Sequence, residues 1–274
     1  MMTKLRSSRW FIYVLLIGMS AFYLLPIYLM LITGFKGFEE VNLKTMWTLP
    51  QGIQFDNFVE AFDKLAPYMW NSLNMVFPAA IISSILGSIN GYVLAKWKFK
   101  GADIIFPLIL FGMFIPYQSI LIPLVEFMKQ SNLYGGLPGL VLTHVIYGIP
   151  ITTLTFRNYY ATIPKELIEA SRIDGCGLLT SYWYILLPIS APAFVVVIIW
   201  QFTSAWNDFL FAVVLTSPSN WPITVALNNM AGSQIIAWNV QMAGSLLAAL
   251  PTLLIYIFLG RYFLRGLISG ALKG

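Results

Sequence analysis

The sequence is short of charge: only 10% of its 274 residues are Asp, Glu, Lys or Arg, against about 25% in an average soluble domain. It has one cysteine, Cys176, which excludes an internal disulfide framework or a cysteine metal site. The single His144 has no carboxylate or cysteine companion in sequence, so a polar packing contact is expected there rather than a metal or catalytic site. No catalytic residue set is expected, because the apolar runs lack paired carboxylates, histidine clusters and a nucleophile–base pair. A glycine-rich loop ending in Gly-Lys-Ser/Thr is also missing, so the chain has no ATP-phosphate cradle.

Apolar residues are abundant. They make up 58% of the chain, and the mean hydropathy is +0.76. The apolar runs are long and unbroken rather than alternating, which in a bilayer means helices and not a barrel. The expected fold class is all-α, a polytopic membrane bundle of about six transmembrane helices. The spans fall at about 10–34, 68–95, 104–128, 138–157, 188–215 and 241–264, each near the roughly 20 residues that cross a bilayer core. The first run exceeds a signal-peptide core and no small-x-small site follows it, so it is expected to remain as an anchor. Pro107, Pro116 and Pro123 are expected to bend or interrupt the third span. Ser84, Gly87, Ser88 and Gly91 offer small residues for close helix approach in the second.

Basic residues set the orientation. Lys4, Arg6, Arg9, Lys96, Lys98, Lys100, Arg157, Lys165, Arg172, Arg261, Arg265 and Lys273 share one side; Lys36, Lys44, Lys64 and Lys129 lie on the other. Both termini are therefore expected in the cytoplasm, with the chain in the cell (inner, cytoplasmic) membrane. This asymmetry accounts for the formal charge of +5, so no nucleic-acid partner is implied.

The stretch EASRIDGCGLLTSYWYILLP, 169–188, falls in the cytoplasmic loop before the fifth span, about 158–187. Pro164 suits the start of a helix, Glu166 and Glu169 suit its positive end, and Gly175 and Gly177 permit a turn. A short helix, a glycine turn and a second short helix follow. Chemically this is either an amphipathic connector on the membrane surface or a docking surface for a partner.

The segment resembles the EAA loop of permease subunits in binding-protein-dependent ABC importers: Glu169-Ala170-Ser171, then Gly175, Ile185, Leu187 and Pro188 at the family spacing, with Ser171 in place of the third alanine. Trp206-Asn207-Asp208-Phe209 and the ending from Gly266 to Gly274 resemble the smaller, maltose-type subunit. The resemblance implies one transmembrane domain over 1–274 that serves as a non-enzymatic permease of an ATP-driven importer for a sugar or sugar-like solute. It implies a second permease in a heterodimer, two ATPase subunits, an extracytoplasmic solute-binding protein and the lipid bilayer as partners. ATP and Mg would sit on the ATPases and no cofactor on this chain.

Site residues follow by the same resemblance. Glu169, Ala170, Ser171, Asp174, Gly175, Ile185, Leu187 and Pro188 would couple to an ATPase. The tail, about 265–274 and including Ser269, Gly270, Lys273 and Gly274, would reach between the ATPases. Trp206, Asn207 and Asp208 would line the path or its outer gate, or else form a structural cluster between permeases. Asn228, Asn229, Gly232, Ser233 and Gln234, in an uncharged polar loop, would approach the binding protein or simply cap the bundle. A transporter driven by an ion gradient is the alternative, for which Asp208 is a meagre supply of intramembrane charge.

Overall fold

In lipid a backbone N–H or C=O finds its partner only within its own segment, so apolar runs of membrane length become helices. The computed structural model describes residues 2–97, 99–232 and 236–271. Among these there are helices and short turns but no β-strand. The helices are α1 (Met2–Gly34), α2 (Asp56–Lys96), α3 (Ala102–Phe111), α4 (Leu121–Gln130), α5 (Leu137–Ala161), α6 (Lys165–Ile173), α7 (Leu178–Ser181), α8 (Leu187–Ile189), α9 (Ala191–Trp206), α10 (Leu210–Leu215), α11 (Ile223–Ala231) and α12 (Trp238–Ala271). By length and hydropathy α1, α2, α5 and α12 each hold a continuous span, and counting two bent pairs as one span each brings the total to six.

The bent pairs refine two of the expected spans. The third span, expected over 104–128 with its prolines bending or interrupting it, is indeed broken: Ala102–Phe114 and Tyr117–Gln130 meet at 89°. Pro116 is the cause, since it pushes the preceding residue out of the helical region, and Ile115 is extended at φ −75°, ψ 118°. The other two prolines do not break the chain. Pro107 lies inside α3, and Pro123 sits in the first turn of α4, where its missing N–H would have had no helical partner. The fifth span, expected over 188–215, comprises α8, α9 and α10, with breaks at Ser190 and at 207–209. Leu178–Ile189 turns into α9 at 78°.

Two units form, Met1–Ala66 with Leu227–Ala249 and Pro67–Ala226 with Leu250–Gly274. In the first, Asn57 donates to the carbonyls of Gly34 and Lys36, both at 2.9 Å, and accepts from Asn239 at 2.8 Å. Lys36 is only 1% exposed and donates to the Thr45 carbonyl at 2.6 Å.

In the second unit α2 and α5 cross at very close range. A Cβ on Gly87 would lie 2.0 Å from Thr152 Oγ1, and one on Gly91 would lie 2.6 Å from the Arg157 nitrogen. Thr152 donates across the crossing to the Ser83 carbonyl at 3.1 Å. Ser83, Ser84 and Ser88 are fully buried. The small residues of the second span thus serve the packing role expected of them.

Gly87→Val forces the helices apart and is expected to cost roughly 3 kcal/mol, the upper part of the overpacking range. Thermal unfolding in detergent should show a lowered midpoint. Gly18→Val, at a site with nothing within 4 Å, should leave the midpoint unchanged.

Candidate functional site

The stretch 164–188 folds as a hairpin. Pro164 caps α6, and the helix ends where Gly175 adopts φ +82°, a left-handed conformation costly for residues with a Cβ. Cys176 N–H closes the turn onto the Ser171 carbonyl at 2.9 Å. α7 follows and widens into a π-helical turn over Tyr182–Leu186 before α8.

Glu169, Ala170, Asp174, Gly175 and Pro188 are exposed, whereas Ile185 and Leu187 are half-buried. Ser171 is different: it is buried, and its hydroxyl bonds the buried Ser181 hydroxyl at 3.0 Å. It clasps α6 to α7 and offers nothing to a partner, so the family's third alanine has become an internal hydroxyl contact. The apolar face also turns out differently from simple burial. Ile168 faces the interior, while Ile173 is 87% and Tyr184 79% exposed, with Leu179 and Trp183 also open. Exposed aromatics and aliphatics clustered on one hairpin suit a protein partner.

The hairpin is tied to the bundle by buried hydroxyls. Tyr182 donates to Ser88 Oγ at 3.0 Å, Ser88 and Tyr160 share a 2.6 Å bond, and Tyr160 donates to Ser190 Oγ at 3.2 Å. Tyr92 stacks on Tyr182 with centroids 5.7 Å apart and donates to the Leu178 carbonyl at 3.2 Å. Phe156, Ile168 and Leu186 pack around this chain. It joins α2, α5, the π-turn and the start of α9. Sequence inspection missed it, although tyrosines and serines within apolar helices were the available signal.

A second site lies where helices break. A recess of about 560 Å³ is lined by Tyr117, directly after the Pro116 break, by Asn207 and Asp208 at the end of α9, and by Tyr147, Trp200 and Ser204. Irregular backbone at membrane depth occurs where it faces protein or a cavity, so the two breaks mark this recess as a candidate site. Asp208 caps α10, accepting from the Ala212 N–H at 3.0 Å, and its backbone carbonyl accepts from Thr224 at 2.7 Å. His144 Nε2 lies 3.5 Å from Asp208 Oδ2, so the histidine does have a carboxylate companion, contributed from far along the chain. Asn207 is exposed. Trp206 does not line the recess: it is 2% exposed and stacks on Phe202 at 5.6 Å. The recess thus takes in Asn207 and Asp208 of the three residues singled out there and leaves out Trp206.

In the uncharged loop, the start of α11 is buried through Ile223, Val225 and Ala226, while Asn228, Asn229 and Gly232 are exposed. Ser233 and Gln234 lie outside the described residues. In the tail, Ser269 and Gly270 belong to the end of α12, and Lys273 and Gly274 lie outside the described residues. Among those described, no group of three or more His, Cys, Asp or Glu could hold a metal ion.

Known proteins share this architecture. The chain is 48% identical over 275 residues, the full length of both, to a probable ABC transporter permease protein of Pyrococcus horikoshii. It is 34% identical to the xylose/arabinose import permease protein XacI of Haloferax volcanii, over 94% of this chain and 92% of that one. The fold is shared with a chain from a bacterial ABC transporter involved in the import of the acidic polysaccharide alginate. That match has a TM-score of 0.81 at 22% identity and covers 94% of this chain and 98% of the other. Residues 83–268, from the small-residue face of α2 to near the end of α12, match the binding-protein-dependent transport system inner membrane component, and the chain belongs to that family.

Proposed function

We propose that this chain is one of two permease subunits of an ATP-driven importer for a sugar or sugar-like solute. The hairpin docks on a separate ATPase subunit that carries ATP and Mg. A second, different permease completes the path, and a solute-binding protein delivers cargo from outside, against a surface that includes Asn228, Asn229 and Gly232. Both termini lie in the cytoplasm, where the C-terminal tail meets the ATPases. The observation that carries this reading is the α6–α7 hairpin itself. Its outer face exposes Ile173, Leu179, Trp183 and Tyr184, while buried hydroxyls tie it to α2, α5 and the start of α9, as suits a part that receives force from a partner. ATP then shifts the equilibrium between outward- and inward-facing states through contacts that differ between them.

The sugar assignment draws on a relative named for xylose and arabinose and on the chemistry of the recess. Tyr117, Tyr147 and Trp200 offer ring faces, and Asn207, Ser204 and Gln201 offer hydrogen-bonding groups. That combination suits the apolar faces and hydroxyls of a pyranose or pentose.

Ile173→Asp places a charge at the most exposed of the hairpin's large hydrophobic residues. Chain stability should change by less than about 0.5 kcal/mol, as for other surface substitutions. Recovery of the ATPase on affinity purification should fall roughly thirtyfold, the loss of one interface hot spot, and uptake should fall with it. Glu169→Ala should act in the same direction. Undiminished ATPase recovery with both variants removes the hairpin from the coupling role. Uptake that persists in ATP-depleted cells yet collapses with the proton or sodium gradient replaces the importer with an ion-driven transporter.

Asn207→Ala removes one hydrogen-bonding group from the recess. Uptake of sugar at subsaturating concentration should slow about fivefold, the worth of one such bond, while the ATPase still copurifies. Unchanged uptake takes Asn207 out of the path.

A further inference from the structure

The helical hairpin has a second face, turned toward the connection between α2 and α3, and the lining there is net basic. A recess of about 1000 Å³ lies between them. Lys96, Lys100, Lys165 and Arg172 contribute four positive charges to its lining, against two negative ones from Asp103 and Glu169. Among the described residues none of the four cations forms an ion pair. Lys96 donates to the Ile163 carbonyl at 2.5 Å, and Arg172 lies over the Trp97 ring at 4.4 Å. Four cations against two carboxylates leave the lining with a net positive charge that attracts an anion.

Its position indicates the source of that anion. α2 ends at Lys96 and α3 begins at Ala102, so five residues join two membrane segments. Even fully extended, five residues reach no more than about 17 Å, so this connection cannot leave the membrane surface. Trp97 and Phe99 lie beside the basic groups, as aromatic residues do at the level of lipid headgroups. Basic pockets between membrane helices on the cytoplasmic side are sites for anionic headgroups.

We propose that this recess binds the phosphate of an anionic phospholipid from the cytoplasmic leaflet, and that the lipid bridges the α2–α3 connection to the coupling hairpin. The assignment of leaflet rests on the orientation given under Proposed function. Arg172 is the pivot: it belongs to α6 and also lines the headgroup site. Lipid bound there holds α6 against the end of α2 and so tunes how readily an ATPase displaces the hairpin. The soluble counterpart of the same chemistry is inorganic phosphate, and the competing occupant is an acidic surface of the ATPase.

The test uses the purified importer complex in phosphatidylcholine nanodiscs, with phosphatidylglycerol titrated in and bound lipid counted by native mass spectrometry. One phosphatidylglycerol should be retained per copy of this chain, in preference to phosphatidylcholine. The K100Q/K165Q double variant alters two exposed side chains outside the hairpin's apolar docking face. It should weaken retention about thirtyfold, since each lysine near an anionic surface contributes a factor of roughly five. K129Q, away from the recess, should retain lipid as the parent does. Equal retention by K100Q/K165Q, or equal retention of phosphatidylcholine, overturns the proposal. Displacement by inorganic phosphate at matched concentration overturns the lipid source. Crosslinking of Lys100 to the ATPase, with no lipid held, gives the recess to the protein partner instead. If no ATPase copurifies, retention on the chain alone still decides for or against the lipid, so failure of the importer reading is seen separately.

Discussion

The hydroxyl of Ser88 is the point on which the larger unit depends. It bonds Tyr160 on α5 and Tyr182 in the π-turn at once, and it is buried where water cannot substitute for either. A buried hydroxyl left without a partner costs about 1–3 kcal/mol, so each of these three groups constrains the other two. The arrangement requires α2 and α5 to touch, which Gly87 and Gly91 allow. The Ser88 node also sets where α6 and α7 stand, because Tyr182 carries the whole hairpin with it. Geometry at the membrane surface is thus fixed by a contact inside the bundle.

The breaks in the apolar helices have the opposite character. At Pro116 and at 207–209 the helical ladder is given up, and the structure recovers the loss locally. Asp208 does so by accepting from the first N–H groups of α10. The two breaks line one recess with aromatic and amide groups. Close helix contacts and buried hydroxyls gather at the Ser88 end of the second unit, and polar groups converge on open space at the helix breaks. A transporter needs both: a part that keeps its shape and a part that can rearrange around cargo.

Much of this was legible in the sequence because the bilayer leaves few alternatives. Spans, the glycine turn at Gly175 and the small-residue face of α2 each follow from one local rule. Where the reading fell short, the deciding partner was distant. Three prolines in the third span looked alike, and only position relative to a helix start separates Pro116 from Pro123. Ser171 read as a small residue standing in for alanine, until Ser181 across the turn gave its hydroxyl a partner. Trp206 seemed to belong with Asn207 and Asp208, but one step along a helix turns a side chain by about 100°, and that step put its ring on Phe202. His144 acquired Asp208 through tertiary packing that no spacing reveals. The orientation and the docking roles rest on chemistry outside the chain.

The 78° corner between Leu178–Ile189 and α9 has a mechanical consequence. Two stiff arms set nearly at right angles and pinned at the elbow make a bell crank. The Ser171–Ser181 clasp stiffens one arm, and Tyr160 bonded to Ser190 pins the elbow. The other arm is α9, 16 residues long, or about 24 Å at helical rise. With the hairpin docked as proposed, a sideways push on the short arm would emerge as a swing of the far end of α9, beside Asn207 in the lining of the recess.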